Sequence, residues 1–142
     1  MNKSVFLSGI EKKYPEELLE KRMEIEGNCI ACLWKDPLLL DEYDFTKDFF
    51  VTRDGRFYFE LAKNLRSKGL NTLDEVSVLS NSKEQVIDAF NDKGGFEIIE
   101  QMVSIVNLNN WDTYSDQLYR ENLLMKLYDC GYNLLNKVNY SG

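Results

Sequence analysis

The sequence lacks histidine altogether and has only two prolines among its 142 residues. Histidine is the side chain that most often serves as a general acid or base, so its absence weakens any catalytic interpretation. The sequence also lacks the motif G-x-x-x-x-G-K-[ST], which forms the phosphate-binding loop of many nucleotide-binding proteins. We therefore expect no catalytic residue in this chain, and an enzyme built on its many carboxylates or its cysteines is the weakest interpretation.

Cysteine is scarce, and its count is odd. Cys29, Cys32 and Cys130 cannot form a closed disulfide framework, so we expect reduced thiols. Cys29 and Cys32 match C-x-x-C, but a redox pair of this kind sits after a strand at the start of a helix, whereas these two fall inside a helical pattern. A zinc site would need further ligands that the sequence does not supply. We interpret both as small buried residues of a core-facing helix, and we expect no metal or cofactor.

Long apolar runs and an excess of positive charge are also missing. No run is long enough to cross a bilayer, and the apolar run near the N-terminus is too short for a secretory signal. These absences predict a cytoplasmic protein with no membrane partner. The formal net charge of −7 disfavours contact with phosphates, so we expect little direct nucleic-acid binding and predict protein partners instead.

What the sequence does contain is apolar and helical in its pattern. Hydrophobic residues make up 44% of the chain, and its length fits one compact domain. Apolar positions recur at helical spacing and strand patterns are scarce, which predicts an all-α fold. We expect a small globular bundle of short helices followed by a long C-terminal helix that forms part of a helical hairpin. The predicted divisions are an N-terminal arm over residues 1–14, a globular head over 15–110 and a long helix over 111–142.

Local signals predict where the helices begin and end. Pro15 and the acidic residues behind it predict a first helix from Glu16 to about Lys35, and Pro37 stops it. Residues 38–45 form one or two helical turns, and another helix follows them.

Within the middle of the chain, four local signals predict a series of short helices. The Asp-Gly pair at Gly55 marks a turn that divides a helical region. A further helix begins near Asp74, and residues 81–85 resemble a capping box ahead of the next. The paired glycine at Gly94 predicts a turn with unusual backbone dihedral angles.

The long terminal helix, which begins at Trp111, carries two apolar stripes. A helix that is apolar on more than one side needs cover on more than one side. Only Asn139 to Gly142 follow it, so we expect the cover to come from another chain or from sequence beyond this one. A deep groove in the chain's own domain is the alternative. The first stripe comprises Tyr114, Leu118, Met125, Tyr128, Tyr132 and Leu135, and the second comprises Leu123, Leu124, Leu127, Leu134 and Val138.

We predict that this helix associates with another copy of the chain, giving a dimer or a higher oligomer. Leucine and tyrosine at helical spacing offer large apolar contacts, although each is equally explained as intramolecular core. We expect acidic positions such as Glu121 and Asp129 to be exposed, and a solvated helix face explains them as well as a docking role does. The predicted association residues are Leu124, Leu127, Tyr128, Tyr132, Leu134 and Leu135.

Several short motifs follow one another in a consistent order. They are EIEGNCIACLWKDP at 24–37, DFF at 48–50 with RFYF at 56–59, KG at 68–69 with DEVSV at 74–78, and KGGF at 93–96. In order and spacing they resemble the N-terminal domain of DnaB-type replicative DNA helicases. The resemblance extends over residues 24–138. It departs from the family at Gly55, where histidine is usual, at Ser77, where threonine is common, and at Cys29 and Cys32, which replace small apolar residues.

The resemblance implies a non-catalytic assembly domain that builds the collar of a helicase ring and docks primase or a helicase loader. It also implies that ATP and magnesium belong to an ATPase domain that is absent from this sequence. A free-standing replication adaptor of similar fold, acting only by binding, remains an alternative. The length of the native gene product would distinguish these two interpretations.

Overall fold

The computed structural model describes residues 16–130, with side chains as far as Leu127, and every regular element in that range is helical. This confirms the all-α prediction of short helices followed by a long C-terminal one. Within that range no helix is both long and apolar enough to cross a membrane. The predicted arm over residues 1–14 lies outside the described residues. The helices are α1 (Glu16–Lys35), α2 (Leu39–Glu42), α3 (Arg53–Ser67), α4 (Glu75–Asn81), α5 (Glu84–Asp92), α6 (Phe96–Ile105) and α7 (Trp111–Cys130), with 3-10 turns at Lys47–Phe49 and Leu108–Asn110.

Helix α1 is the centre of the fold. Every residue from Cys29 to Trp34 is buried, which is possible only because α3, α6 and α7 all pack against this helix. The predicted end of α1 at Lys35 is confirmed, and its last turn closes with the amide of Asp36 donating to the carbonyl of Cys32 at 2.8 Å. The start signal at Pro15 lies outside the described residues. The other long helices are therefore arranged around α1.

An aromatic cluster joins α1 to the smaller helices. The indole ring of Trp34 lies 6.5 Å from the rings of both Phe90 in α5 and Phe96 in α6, measured between centroids. Its Nε1 donates to the carbonyl of Tyr58 in α3 at 3.2 Å, so the N–H group of the buried indole has a hydrogen-bond partner. One side chain thus holds α3, α5 and α6 in place.

The turn predicted at Gly55 is wrong, because this glycine lies inside the first turn of α3. The cap of that helix is Thr52, whose hydroxyl accepts from the amide of Gly55 at 3.0 Å. A Cβ at position 55 would overlap Oε1 of Glu26 on α1. Glycine is therefore required here by close packing of two helices, although its sequence context is typical of a turn.

The capping signals at the next two helices had different outcomes. Asp74 caps α4 as predicted, and its carboxylate accepts from the amide of Ser77 at 2.8 Å. The capping box predicted over residues 81–85 is wrong, because Ser82 ends α4 and Lys83 precedes α5 without a side-chain cap. The glycine turn is confirmed, with φ angles of 119° at Gly94 and 68° at Gly95.

Candidate association surface on the C-terminal helix

The inner face of α7 packs antiparallel against α1. Lys21 forms an ion pair with Glu121 at 2.9 Å, and further along α1 the thiol of Cys29 donates to the carbonyl of Tyr114 at 3.3 Å. Residue numbers therefore increase along α1 in the direction in which they decrease along α7. Leu118 is completely buried between the two helices. The described part of the first predicted stripe therefore faces the chain's own head.

A buried guanidinium fastens α7 to the rest of the molecule. Arg22 in α1 has no exposed surface, and its Nε lies 2.7 Å from Oε2 of Glu26, one turn further along the same helix. Its terminal nitrogens donate to the carbonyls of Phe49 and Leu118 and to the side-chain oxygen of Asn122. Arg22 therefore joins α1, the segment before α3, and α7.

The carboxylate of Glu26 completes this network on the other side. It accepts from the amide of Val51 at 2.7 Å, and from both the amide and the hydroxyl of Thr52. Burial raises the pKa of Glu26, and the neighbouring Arg22 with the hydrogen bonds from Thr52 and Val51 opposes that rise. Because both groups are buried, the network positions helices and offers no site that a substrate could reach.

Sequence reasoning missed this network. The signal was available, because Arg22 lies three residues after Leu19 and Glu26 three residues before Cys29, so both charges fall on the apolar face of α1. An i, i+4 pair of opposite charge normally indicates a solvated surface. A buried pair can be distinguished from a solvated pair in the sequence only because its two charged residues interrupt an apolar stripe.

The outer face of α7 is polar along its first half. A shallow depression with a volume of about 540 Å³ follows this half of the helix. Nη2 of Arg120 lies 2.8 Å from Oδ2 of Asp116, and both side chains are exposed. The lining residues are Asp112, Thr113, Asp116, Gln117 and Arg120.

After Arg120 the outer face becomes apolar. Leu123 is 59% exposed, and Leu124 and Leu127 are partly buried. The structure thus brings two of the predicted association residues together with Leu123 on the outer part of the helix. For Tyr128 the side chain is not among those described. The predicted residues Tyr132, Leu134 and Leu135 lie outside the described residues.

One acidic residue of α7 is not where the sequence indicated. Glu121 was expected on a solvated face, but it is only 4% exposed and lies against Lys21 of α1. The prediction was wrong because the packing register of α1 on α7 places this turn inward. The side chain of Asp129 lies outside the described residues.

The two cysteines of α1 are buried, as predicted. Burial raises the pKa of Cys29 far above its ordinary value, and burial raises the pKa of Cys32 to about 11. Both are therefore neutral thiols at physiological pH, whereas nucleophilic or metal-binding cysteine is a thiolate. Among the residues that the structure describes, no cluster of three or more acidic or cysteine side chains could hold a metal ion.

Comparison with known proteins gives one distant similarity. No family model matches the chain, and no solved structure matches it. The chain is 27% identical over 110 residues to the SPbeta prophage-derived uncharacterized protein YorI of Bacillus subtilis strain 168. The aligned stretch covers 74% of this chain and 22% of that protein, so the chain spans about a fifth of the length of this relative.

Proposed function

We propose that this chain is the non-catalytic assembly and partner-docking domain of a cytoplasmic replicative DNA helicase. In this proposal, copies of the domain associate through the C-terminal helix and form the collar of the helicase ring. The same domain docks primase or a helicase loader. ATP and magnesium would bind elsewhere, in an ATPase domain of the complete protein.

The observation that carries the proposal is the change along the outer face of α7. The inner face is already covered by α1, where Leu118 is completely buried. Beyond Arg120 the outer face presents Leu123, Leu124 and Leu127. Water-exposed apolar surface that continues along a helix indicates an interaction site, and a second copy of the helix would cover it.

The placement of the helicase-like motifs also supports the proposal. The stretch at 24–37 forms the second half of α1 and its stop, and the stretch at 56–59 lies in α3. The segment at 74–78 begins α4 at its cap, and the segment at 93–96 forms the turn before α6. Each motif therefore coincides with a helix, a cap or a turn, as structural motifs of a helical domain should.

The relative from the SPbeta prophage is compatible with a domain of this kind. It is much longer than the stretch that matches, so an equivalent domain there would be one part of a larger protein. A replicative helicase carried by a phage would have that organisation. This length relation favours the helicase interpretation over a free-standing adaptor.

Sedimentation of a double variant tests the association. Replacing Leu124 and Leu127 with lysine should shift the mass toward the monomer, because two charges cannot be buried unpaired in an apolar contact. The matched control replaces Thr113 and Gln117 with lysine, which adds the same charge to the polar half of the outer face. We expect the control to keep the mass of the unmodified chain and both variants to keep their helical circular dichroism.

Two results would overturn the proposal. One is an unmodified chain that remains monomeric over a wide concentration range. The other is a pair of results: the double variant unfolds, and the single variant Leu123→Lys keeps the mass of the unmodified chain. Leu123 is a more exposed position on the same surface. In that case the leucines belong to the core of the chain's own domain.

A further inference from the structure

A second surface lies on the other flank of α7, where a cluster of aromatic rings reaches the solvent. Tyr119 is 42% exposed and packs on two rings of the segment before α3. Its ring centroid lies 5.7 Å from that of Phe45 and 5.4 Å from that of Phe49. Tyr43 also stacks on Phe45, with the ring centroids 5.7 Å apart, and is partly buried. The rings therefore form a fixed platform rather than isolated exposed side chains.

Leucine extends this platform along the helix. Leu123 follows Tyr119 by four residues, so the two side chains are neighbours on one face of α7. We call the surface made by Tyr43, Phe49, Tyr119 and Leu123 the aromatic platform. Tyrosine and other aromatic residues are enriched where proteins bind one another, because they combine a large apolar area with few rotatable bonds.

Four exposed carboxylates lie in the two segments that form the aromatic platform. Asp44 and Asp48 are exposed on the loop side, and Asp112 and Asp116 are exposed on α7 at the helical spacing that leads to Tyr119. The pKa of Tyr119 is raised by partial burial and then by the neighbouring Tyr43 and Asp44, which places the charge of Asp44 close to the phenol. Lys47, Arg120 and Lys126 are the exposed basic residues in the same segments, and Arg120 is paired with Asp116. The four carboxylates outnumber these three basic groups by one, so the rim carries a net negative charge.

We infer that the aromatic platform docks a cationic amphipathic segment of a partner protein, in which leucine-like residues cover Tyr119 and Leu123 while arginine or lysine meets Asp44 and the aromatic faces. Guanidinium and ammonium groups bind favourably over aromatic rings and beside carboxylates. A second copy of this chain, with its formal net charge of −7, would instead bring two acidic rims together. Phosphates of a nucleic acid would be repelled for the same reason.

The inference goes beyond the proposed function, because it assigns docking to Tyr43, Phe49 and Tyr119, which pairing through Leu124 and Leu127 does not require. Leu123 lies at the boundary and belongs to both surfaces. The partner's chemistry rests on charge and aromatic packing alone. Its identity as a primase or a loader rests on the proposed function. The docking inference and the proposed association can therefore be tested separately, because loss of docking leaves the mass of the assembly unchanged.

A labelled synthetic peptide provides the test. The peptide carries leucine at alternating three- and four-residue steps with arginine on both flanks, and a matched peptide carries glutamate at every arginine position. Fluorescence anisotropy at about 150 mM salt, where long-range attraction is screened, measures its affinity for the full chain. We expect saturable binding of the arginine peptide and no binding of the glutamate peptide. Amide resonances of Asp44, Phe49, Tyr119 and Leu123 should shift on titration.

Paired variants separate this surface from the general acidity of the protein. Asp44→Lys and Tyr119→Ser should each weaken binding about tenfold, corresponding to about 1.4 kcal/mol. The control for the first is Asp88→Lys, an exposed acidic residue of α5 that gives the same change in net charge. The control for the second is Leu79→Ser on α4, since Leu79 has the same 42% exposure as Tyr119. We expect both controls to bind like the unmodified chain.

Three outcomes would overturn the inference. In the first, Asp88→Lys weakens binding as much as Asp44→Lys, which would indicate general charge attraction. In the second, the chain binds the peptide only after residues 1–14 are removed, which would show that its own N-terminal segment occupies the platform. In the third, Tyr119→Ser lowers the mass of the unliganded protein, which would show that the platform joins two copies.

Discussion

The two faces of α7 differ in how completely the rest of the chain covers their side chains. On the inner face, Leu118 is fully buried and Asn122 accepts from the guanidinium of Arg22, whereas the buried Nε1 of Trp111 has no hydrogen-bond partner among the described residues. On the outer face, Leu123 is 59% exposed. One helix therefore carries the residues that stabilise the fold on one side and the residues that we propose for association on the other.

The outer face itself divides at Arg120. Before this residue the exposed side chains are polar and the ion pair with Asp116 suits contact with water. After it, leucines replace them although the inner face continues to pack on α1 through Met125. Since the same helix provides both halves, the difference reflects side-chain choice alone, and variants matched in position can measure it.

The largest effect is expected at the buried network. Replacing Arg22 with methionine leaves the carboxylate of Glu26 buried without its cation, which should cost about 3–5 kcal/mol of unfolding free energy. Urea denaturation at neutral pH measures this loss. Arg120→Met on the outer face removes an exposed pair with Asp116, and exposed pairs contribute only about 0–1 kcal/mol. Equal losses in the two variants would contradict the assignment of the buried pair.

The loss at Arg22 should also depend on pH. Burial raises the pKa of Glu26, and Arg22 opposes the rise, so its removal raises that pKa further. A group whose pKa is raised on folding stabilises the protein most below its unfolded-state pKa, and that contribution disappears as pH rises through the folded-state pKa. The stability deficit of Arg22→Met should therefore grow as pH rises from acid to neutral. A deficit that does not change with pH would show that Glu26 keeps its charge without Arg22.

A smaller effect should separate two leucines of the same helix. Leu118→Ala creates a cavity between α1 and α7 and should cost about 2–5 kcal/mol. Leu123→Ala makes the same chemical change at an exposed position, where surface substitutions stay within about 0.5 kcal/mol. Thermal unfolding at low protein concentration measures both without a contribution from association. A large loss at Leu123 would mean that the outer face is covered within the monomer.

Much of the fold could be predicted because its signals are local. The stop of α1 before Pro37 and the cap at Asp74 each depend on residues adjacent in sequence. Gly55 shows where local signals fail. An Asp-Gly pair favours a turn, but the contact with Glu26 on another helix makes glycine necessary inside α3.

The candidate surface could be predicted only in part, because its position also depends on contacts between helices that are distant in sequence. Helical spacing identified Leu124 and Leu127 as members of a second apolar stripe, because spacing is a property of the helix alone. The direction in which each stripe points depends on the register of α1 against α7, which sequence does not supply. Because of that register, Glu121 is buried and the guanidinium of Arg22 on α1 donates to the side-chain oxygen of Asn122 on α7.

The smallest effect is expected at the two thiols of α1, and it refines the description of the inner face. Cys29 donates to the carbonyl of Tyr114 on α7, whereas the pKa of Cys32 is raised by burial and lowered by Lys35 of its own helix. Replacing Cys29 and Cys32 with alanine should cost about 1 kcal/mol each, because each change removes one buried sulfur. Hydrogen exchange in α7 should quicken more for the Cys29 variant, since this thiol donates the hydrogen bond to the carbonyl of Tyr114. Burial raises the pKa of Cys32 to about 11, so neither thiol should react with iodoacetamide in the folded protein at pH near 8. Rapid alkylation of Cys29 or Cys32 under these conditions would show that the contact between α1 and α7 opens, and the inner face could then no longer be regarded as closed.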